Sequence, residues 1–112
     1  MSQYLILLYE NEEFYAQASP QMLDEVMQAH NRFAEQVTEL GAKIEGGNAL
    51  QPTSTATTIR NDVVTDGPFA ETKEALGGYY LVEARDLDQA LAFGKLCPAP
   101  FGGVEVRPIM EM

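Results

Sequence analysis

Tyr4-Leu5-Ile6-Leu7-Leu8-Tyr9 is apolar at every position. Successive side chains of a strand point to opposite faces, so this run is apolar on both sides and belongs at the centre of a sheet covered twice. Tyr79 to Ala84 makes another strand with apolar residues on both faces. Between them, Ser19 is placed to cap a helix whose first residue is Pro20, with Asp24 and Glu25 near the positive end of its dipole. That helix is predicted to run from about Pro20 to Leu40 and to stop at Gly41. Leu23, Val26, Met27, Phe33, Ala34, Val37 and Leu40 recur at three-and-four spacing, and His30 fills the gap in the series. An imidazole in that position faces the sheet.

Lys43 to Leu50 reads as a strand weakened or bulged at Gly46-Gly47. Pro52 and the hydroxyl-rich run Thr53 to Thr58 carry too little apolar surface for more than an edge or loop. Thr57 to Arg60 and Val63 to Thr65 flank Asn61-Asp62, the spacing of a tight hairpin. Asp86 opens a second helix, with Gln89 completing a capping-box pattern, Leu87, Ala90, Leu91 and Gly94 along one side and Pro98 as its stop. A last strand covers roughly Val104 to Ile109. This order of elements, without repeat or linker, predicts one α+β domain over residues 1–112, a ferredoxin-like sandwich with an antiparallel sheet and two helices on one face. Two helices cover only one face, whereas both central strands are apolar on two. A second copy of the chain is the simplest cover for the other face, giving a homodimer.

At 112 residues and 46% hydrophobic, one domain is enough; a chain of this size buries roughly two thirds of its unfolded surface. The net charge of -10 argues against nucleic acid and against an anionic membrane, both of which would repel it. No basic leader precedes the first strand and no apolar run is long enough to span a bilayer, so a cytoplasmic protein is expected. The lone Cys97 leaves no disulfide framework and reads as a small buried hydrophobe at a helix end. One histidine, one cysteine and scattered carboxylates give no metal-ligand spacing, and Gly77-Gly78 lacks the pattern of a phosphate loop. No cofactor is expected.

The candidate chemistry lies at a rigid polar turn, Asp66-Gly67-Pro68-Phe69. Gly67 can take unusual backbone angles while Pro68 fixes its own φ and restricts its neighbour, so the corner aims the Asp66 carboxylate. If that corner closes over the cleft holding His30, imidazole and carboxylate form a general acid–base dyad, with Phe69 as an apolar wall and Lys73 as an anchor for a carboxylate or enolate. Isomerisation, elimination or lactone chemistry on a small organic molecule would suit such a pair. Plainer readings compete. His30 can be a core histidine tied to a carbonyl or hydroxyl, Asp66 an Asx-turn residue and Lys73 a surface ion-pair partner of Glu71 or Glu74. A Ser/His/Asp hydrolase would need Ser54 near the dyad, and the acidic loop Glu10 to Glu13 is a solvated charge run or a docking surface for a basic partner.

Over nearly its whole length the chain resembles the YCII-related family in its DGPF-motif branch. The likeness is carried by His30, the run Leu50 to Thr58, the block Asp66 to Glu83, Asp86-Leu87-Asp88, Cys97-Pro98 and Val104 to Pro108. The resemblance implies a dimeric ferredoxin-like α+β barrel and a candidate site at His30 and Asp66. It also implies an alternative role, since members of that branch are often encoded beside extracytoplasmic-function sigma factors: a noncatalytic accessory or regulatory module. The hairpin between Arg60 and Val64 is shorter than in many relatives, so a pocket wall built from that loop is the feature least expected here.

Overall fold

The computed structural model describes residues 1–112. β1 (Ser2–Asn11), β2 (Lys43–Ala49), β5 (Glu74–Ala84) and β6 (Gly102–Pro108) form one sheet in the order β2-β5-β1-β6, all neighbours antiparallel. β3 (Thr57–Arg60) and β4 (Val63–Asp66) form a second sheet of two strands. The helices are α1 (Glu12–Gln17), α2 (Pro20–Glu39) and α3 (Leu87–Leu96). Removing α1 and the β3–β4 hairpin leaves the strand–helix–strand, strand–helix–strand order of the ferredoxin-like sandwich. No helix is long and apolar enough to cross a membrane.

Local chemistry sets the helix ends. Ser19 Oγ accepts the Met22 N–H at 3.1 Å ahead of Pro20, and Gly41 closes α2 with φ +79°. Asp86 Oδ1 accepts the Gln89 N–H at 2.9 Å, while Gln89 Oε1 accepts the Arg85 N–H at 2.8 Å, a capping box displaced by one residue. The expected acidic loop is instead the end of β1 followed by α1. Asn11 Oδ1 caps that short helix by accepting the N–H groups of Glu13 and Phe14, and Glu12 and Glu13 lie at the positive end of its dipole. β5 also begins five residues before Tyr79, because Gly77-Gly78 sits inside the strand beside a bulge in its pairing with β1.

The alternation of β1 sorts its two faces. Tyr4, Ile6 and Leu8 join Val82 and Ala84 of β5, Phe33 and Val37 of α2, and Ala90 and Phe93 of α3 in the core. Leu5, Leu7 and Tyr9 oppose Leu81, Tyr79 and Leu76 on the other face, which neither α2 nor α3 covers. The row of α2 against the sheet is narrower than its periodicity implies: Val26, Phe33 and Val37 are buried, while Leu23, Met27 and Leu40 remain exposed. In α3 the buried side is Ala90, Phe93 and Gly94, with Leu87 and Leu91 exposed. α3 occupies the β6 half of the sheet, where Gly94 comes so close that an added Cβ would stand 2.8 Å from Val106 Cγ2. That leaves α2 the β2–β5 side.

Candidate functional site

His30 lies on the core-facing side of α2, between Val26 and Phe33, and is half-buried. Its Nδ1 meets the hydroxyl of Tyr80 at 2.7 Å. Tyr80 belongs to the helix-covered face of β5, opposite Ile6 on one side and Gly47 on the other. Its ring also packs against Phe33, with centroids 4.9 Å apart. Gly47 makes this placement feasible: a Cβ there would stand 2.8 Å from Tyr80 Cδ1 and 2.7 Å from the Tyr79 carbonyl oxygen. The missing side chain of β2 is the room that the phenol uses. Sequence patterning alone does not single out Tyr80 as a site residue. The alternation of Tyr80, Val82 and Ala84 is the signal that could have placed it beneath the helix.

Burial alone holds the His30 imidazole below its ordinary value near 6.5. Burial, reinforced by nearby Cys97, pushes the Tyr80 phenol above its ordinary value near 10.0. Both groups are therefore neutral at neutral pH. Cys97, the C-cap of α3, is buried in the core; that burial, with a smaller contribution from Glu10, pushes its thiol up to about 12. Glu10 is itself raised by burial, opposed by the Phe101 N–H that its carboxylate accepts at 3.2 Å. Cys97 is thus a packing residue, while His30 and Tyr80 form a neutral hydrogen-bonded pair. Nε2 of His30 has no protein partner, and no buried side-chain nitrogen or oxygen is left unpaired, so this second nitrogen is reached by solvent. When the Tyr80 O–H donates to Nδ1, Nε2 carries a proton outward; when Nδ1–H donates to Tyr80, Nε2 presents a lone pair.

Asp66 stands elsewhere. It ends β4, paired across the hairpin with Thr57, is exposed, and makes no side-chain hydrogen bond. Within one chain the imidazole is bonded to Tyr80 and not to this carboxylate, so the expected dyad does not form there. Nor does the carboxylate close an Asx-turn: the corner is held by its backbone. Gly67, at φ +107°, donates its N–H to the Ala56 carbonyl at 2.8 Å, and its own carbonyl accepts the Thr58 hydroxyl at 2.7 Å.

Phe69 is 70% exposed and lies under the Arg60 guanidinium, 4.4 Å from ring centroid to Cζ. The two share a groove of about 460 Å³ with Thr58, Asn61, Val63, Thr65 and Pro68. Lys73 is exposed and pairs with neither Glu71 nor Glu74; the chain's ion pairs are Lys43–Glu45, Arg85–Asp86 and Arg107–Glu105. Arg60 is thus the cation that meets Phe69. Ser54 is exposed in the turn Thr53–Thr55, which Glu12 ties down by accepting the Thr53 N–H and hydroxyl. No group of three or more metal-ligating side chains occurs.

The model of the YCII-related domain matches residues 2–112. An uncharacterised protein of Rhizobium meliloti (strain 1021) is 37% identical over 113 residues, an alignment covering 95% of this chain and 90% of that protein. With a family match over residues 2–112 and a relative similar end to end, the chain belongs to the YCII-related family.

Proposed function

We propose that the protein is a homodimer that binds a small organic molecule at the outer side of His30 and moves a proton through the His30–Tyr80 pair. The observation that carries this reading is the 2.7 Å contact between Nδ1 and the phenol, which leaves an accessible Nε2 on a neutral imidazole. A neutral imidazole is a competent base near physiological pH, and the phenol oxygen stabilises the imidazolium formed when it takes a proton. Return of that proton to a neighbouring atom of the same molecule completes an isomerisation or an elimination without a nucleophile or metal. Asp66 enters from the end of the β3–β4 arm, with Phe69 and Lys73 from the segment that follows it. Its carboxylate has no partner of its own and is free to meet the imidazole or the ligand when the arm, or a second copy, brings it there.

The homodimer is supported by the apolar stripe Leu5, Leu7, Tyr9, Tyr79 and Leu81 on the sheet face without helices. A second reading, a noncatalytic accessory or regulatory module of the DGPF branch, is favoured by one observation. The grooves lined by Met1, Gln3 and Ile109 and by Arg60 and Phe69 both lie away from His30. A metabolite library read by thermal shift on wild type, His30→Gln, Tyr80→Phe and Asp66→Asn separates the two. A ligand whose stabilisation is lost in His30→Gln, and whose turnover is lost in Tyr80→Phe, supports proton transfer. Stabilisation that survives every substitution removes His30 from the site.

A further inference from the structure

The β3–β4 arm pairs with no strand of the main sheet, and a hairpin alone in water is marginally stable at best. Its turn is stiff, since Asn61 and Asp62 take φ of 49° and 69°, the left-handed pair that suits a hairpin's twist. One face of the arm, with Thr58, Arg60, Val63 and Thr65, shares its groove with Pro68 and Phe69. The other face carries Ile59 and Val64 directly opposite each other, 66% and 64% exposed. Two facing β-branched side chains held in water on a rigid ribbon gain only when another surface covers them.

The chain also leaves more surface in water than a compact monomer does. The chain exposes 7801 Å², against about 6100 Å² for a compact monomer of this size. The surplus, about 1700 Å² per chain, matches what a protomer of an obligate dimer buries. A radius of gyration of 15.3 Å, against about 13 Å for a compact chain of this length, has the same origin. On the open sheet face Leu5, Leu7, Tyr9, Tyr79 and Leu81 form one apolar stripe, and an apolar face of this kind is self-complementary under a two-fold axis.

We infer that the β3–β4 arm lays its Ile59–Val64 face on a second copy of the chain, extending the interface of the open sheet face. This rests on the homodimer proposed above and assigns the arm a clasping role in it. Light scattering over a concentration series, on wild type, Ile59→Lys/Val64→Lys and Leu7→Lys, tests it. The arm variant is expected to weaken dimerisation by about 100-fold, the loss of two buried β-branched side chains from each protomer, with its circular dichroism spectrum retained. If lysine prevents folding, Ile59→Thr/Val64→Thr keeps the strand shape and is expected to weaken the dimer by at least about tenfold. An arm variant as dimeric as wild type, beside a Leu7→Lys monomer, overturns the clasp and leaves the homodimer standing. A wild type that stays monomeric at high concentration overturns both.

Discussion

The Nδ1 of His30 and the hydroxyl of Tyr80 face each other at 2.7 Å across the helix–sheet boundary, with no carboxylate bonded to either. The only histidine of the chain is therefore oriented by a phenol that burial keeps protonated. Tyr80→Phe keeps the ring against Phe33 and removes the hydrogen bond alone. The expected cost is about 1 kcal/mol, the net worth of one part-buried bond. Urea denaturation measures it, and the ring-nitrogen NMR signals of His30 shift as the tautomers rebalance. Stability and spectra unchanged from wild type would show that the contact is not formed in solution.

Burial of His30 makes stability depend on pH in a defined direction. Its folded value lies below the ordinary one near 6.5, so as pH falls below that point the unfolded chain takes up the proton first. Stability contributed by the neutral imidazole is present above about pH 6.5 and is lost toward the lower folded value. Glu10, raised above its ordinary 4.5, acts oppositely: its protonated form is favoured in the folded state, and that contribution fades as pH rises through the raised value. The difference between wild type and His30→Gln isolates the imidazole. Wild type is expected to lose ground to the variant as pH falls below about 6.5, as read by denaturation at stepped pH. Parallel curves would contradict the burial.

Much of the fold is local and was legible. The unbroken apolar run Tyr4 to Tyr9, the Ser19-Pro20 start of α2 and the Asn61-Asp62 turn all act through neighbouring residues. α1 was missed because it buries no residue and therefore has no apolar stripe; its one signal is Asn11 ahead of two acids. The site was legible in halves. The spacing of α2 turns His30 inward, but its partner depends on register between β2, β5 and β1, which no local pattern fixes. The stiff corner at Gly67 was readable too, yet which element it faces depends on the orientation of the whole arm.

Gly47 is the backbone position on which the pair depends. In Gly47→Ala the new methyl carbon would stand 2.7 Å from the Tyr79 carbonyl oxygen, a backbone atom, and 2.8 Å from the Tyr80 ring. Either the β2–β5 ladder spreads or the phenol swings from beneath His30. The expected cost is about 1–3 kcal/mol, accompanied by a changed His30 signal. An unperturbed variant would mean that β2 lies farther from Tyr80 than described.

Cys97 is expected to be inert. Its thiol is buried in the core and pushed up to about 12, so almost no thiolate exists at neutral pH. Labelling with a disulfide reagent at about pH 8 should be slow in the folded protein and immediate in denaturant. Rapid labelling of the native state would place the thiol at the surface and reopen it as a reactive group.

Asp66 is the carboxylate that the proposed homodimer would have to bring to His30. In an isolated chain it is exposed on the arm and makes no bond to the imidazole. Asp66→Asn should therefore leave the His30 titration where it is under dilute, ligand-free conditions. A carboxylate brought beside an imidazole raises the imidazole's pKa, because the protonated ring gains an opposite charge. When a second copy or a ligand brings the arm over the cleft, wild type should titrate at higher pH than Asp66→Asn. With one histidine in the chain, its ring protons can be followed by NMR without assignment ambiguity. Coincident titrations under every condition would confine Asp66 to the arm and leave Tyr80 as the sole partner of His30.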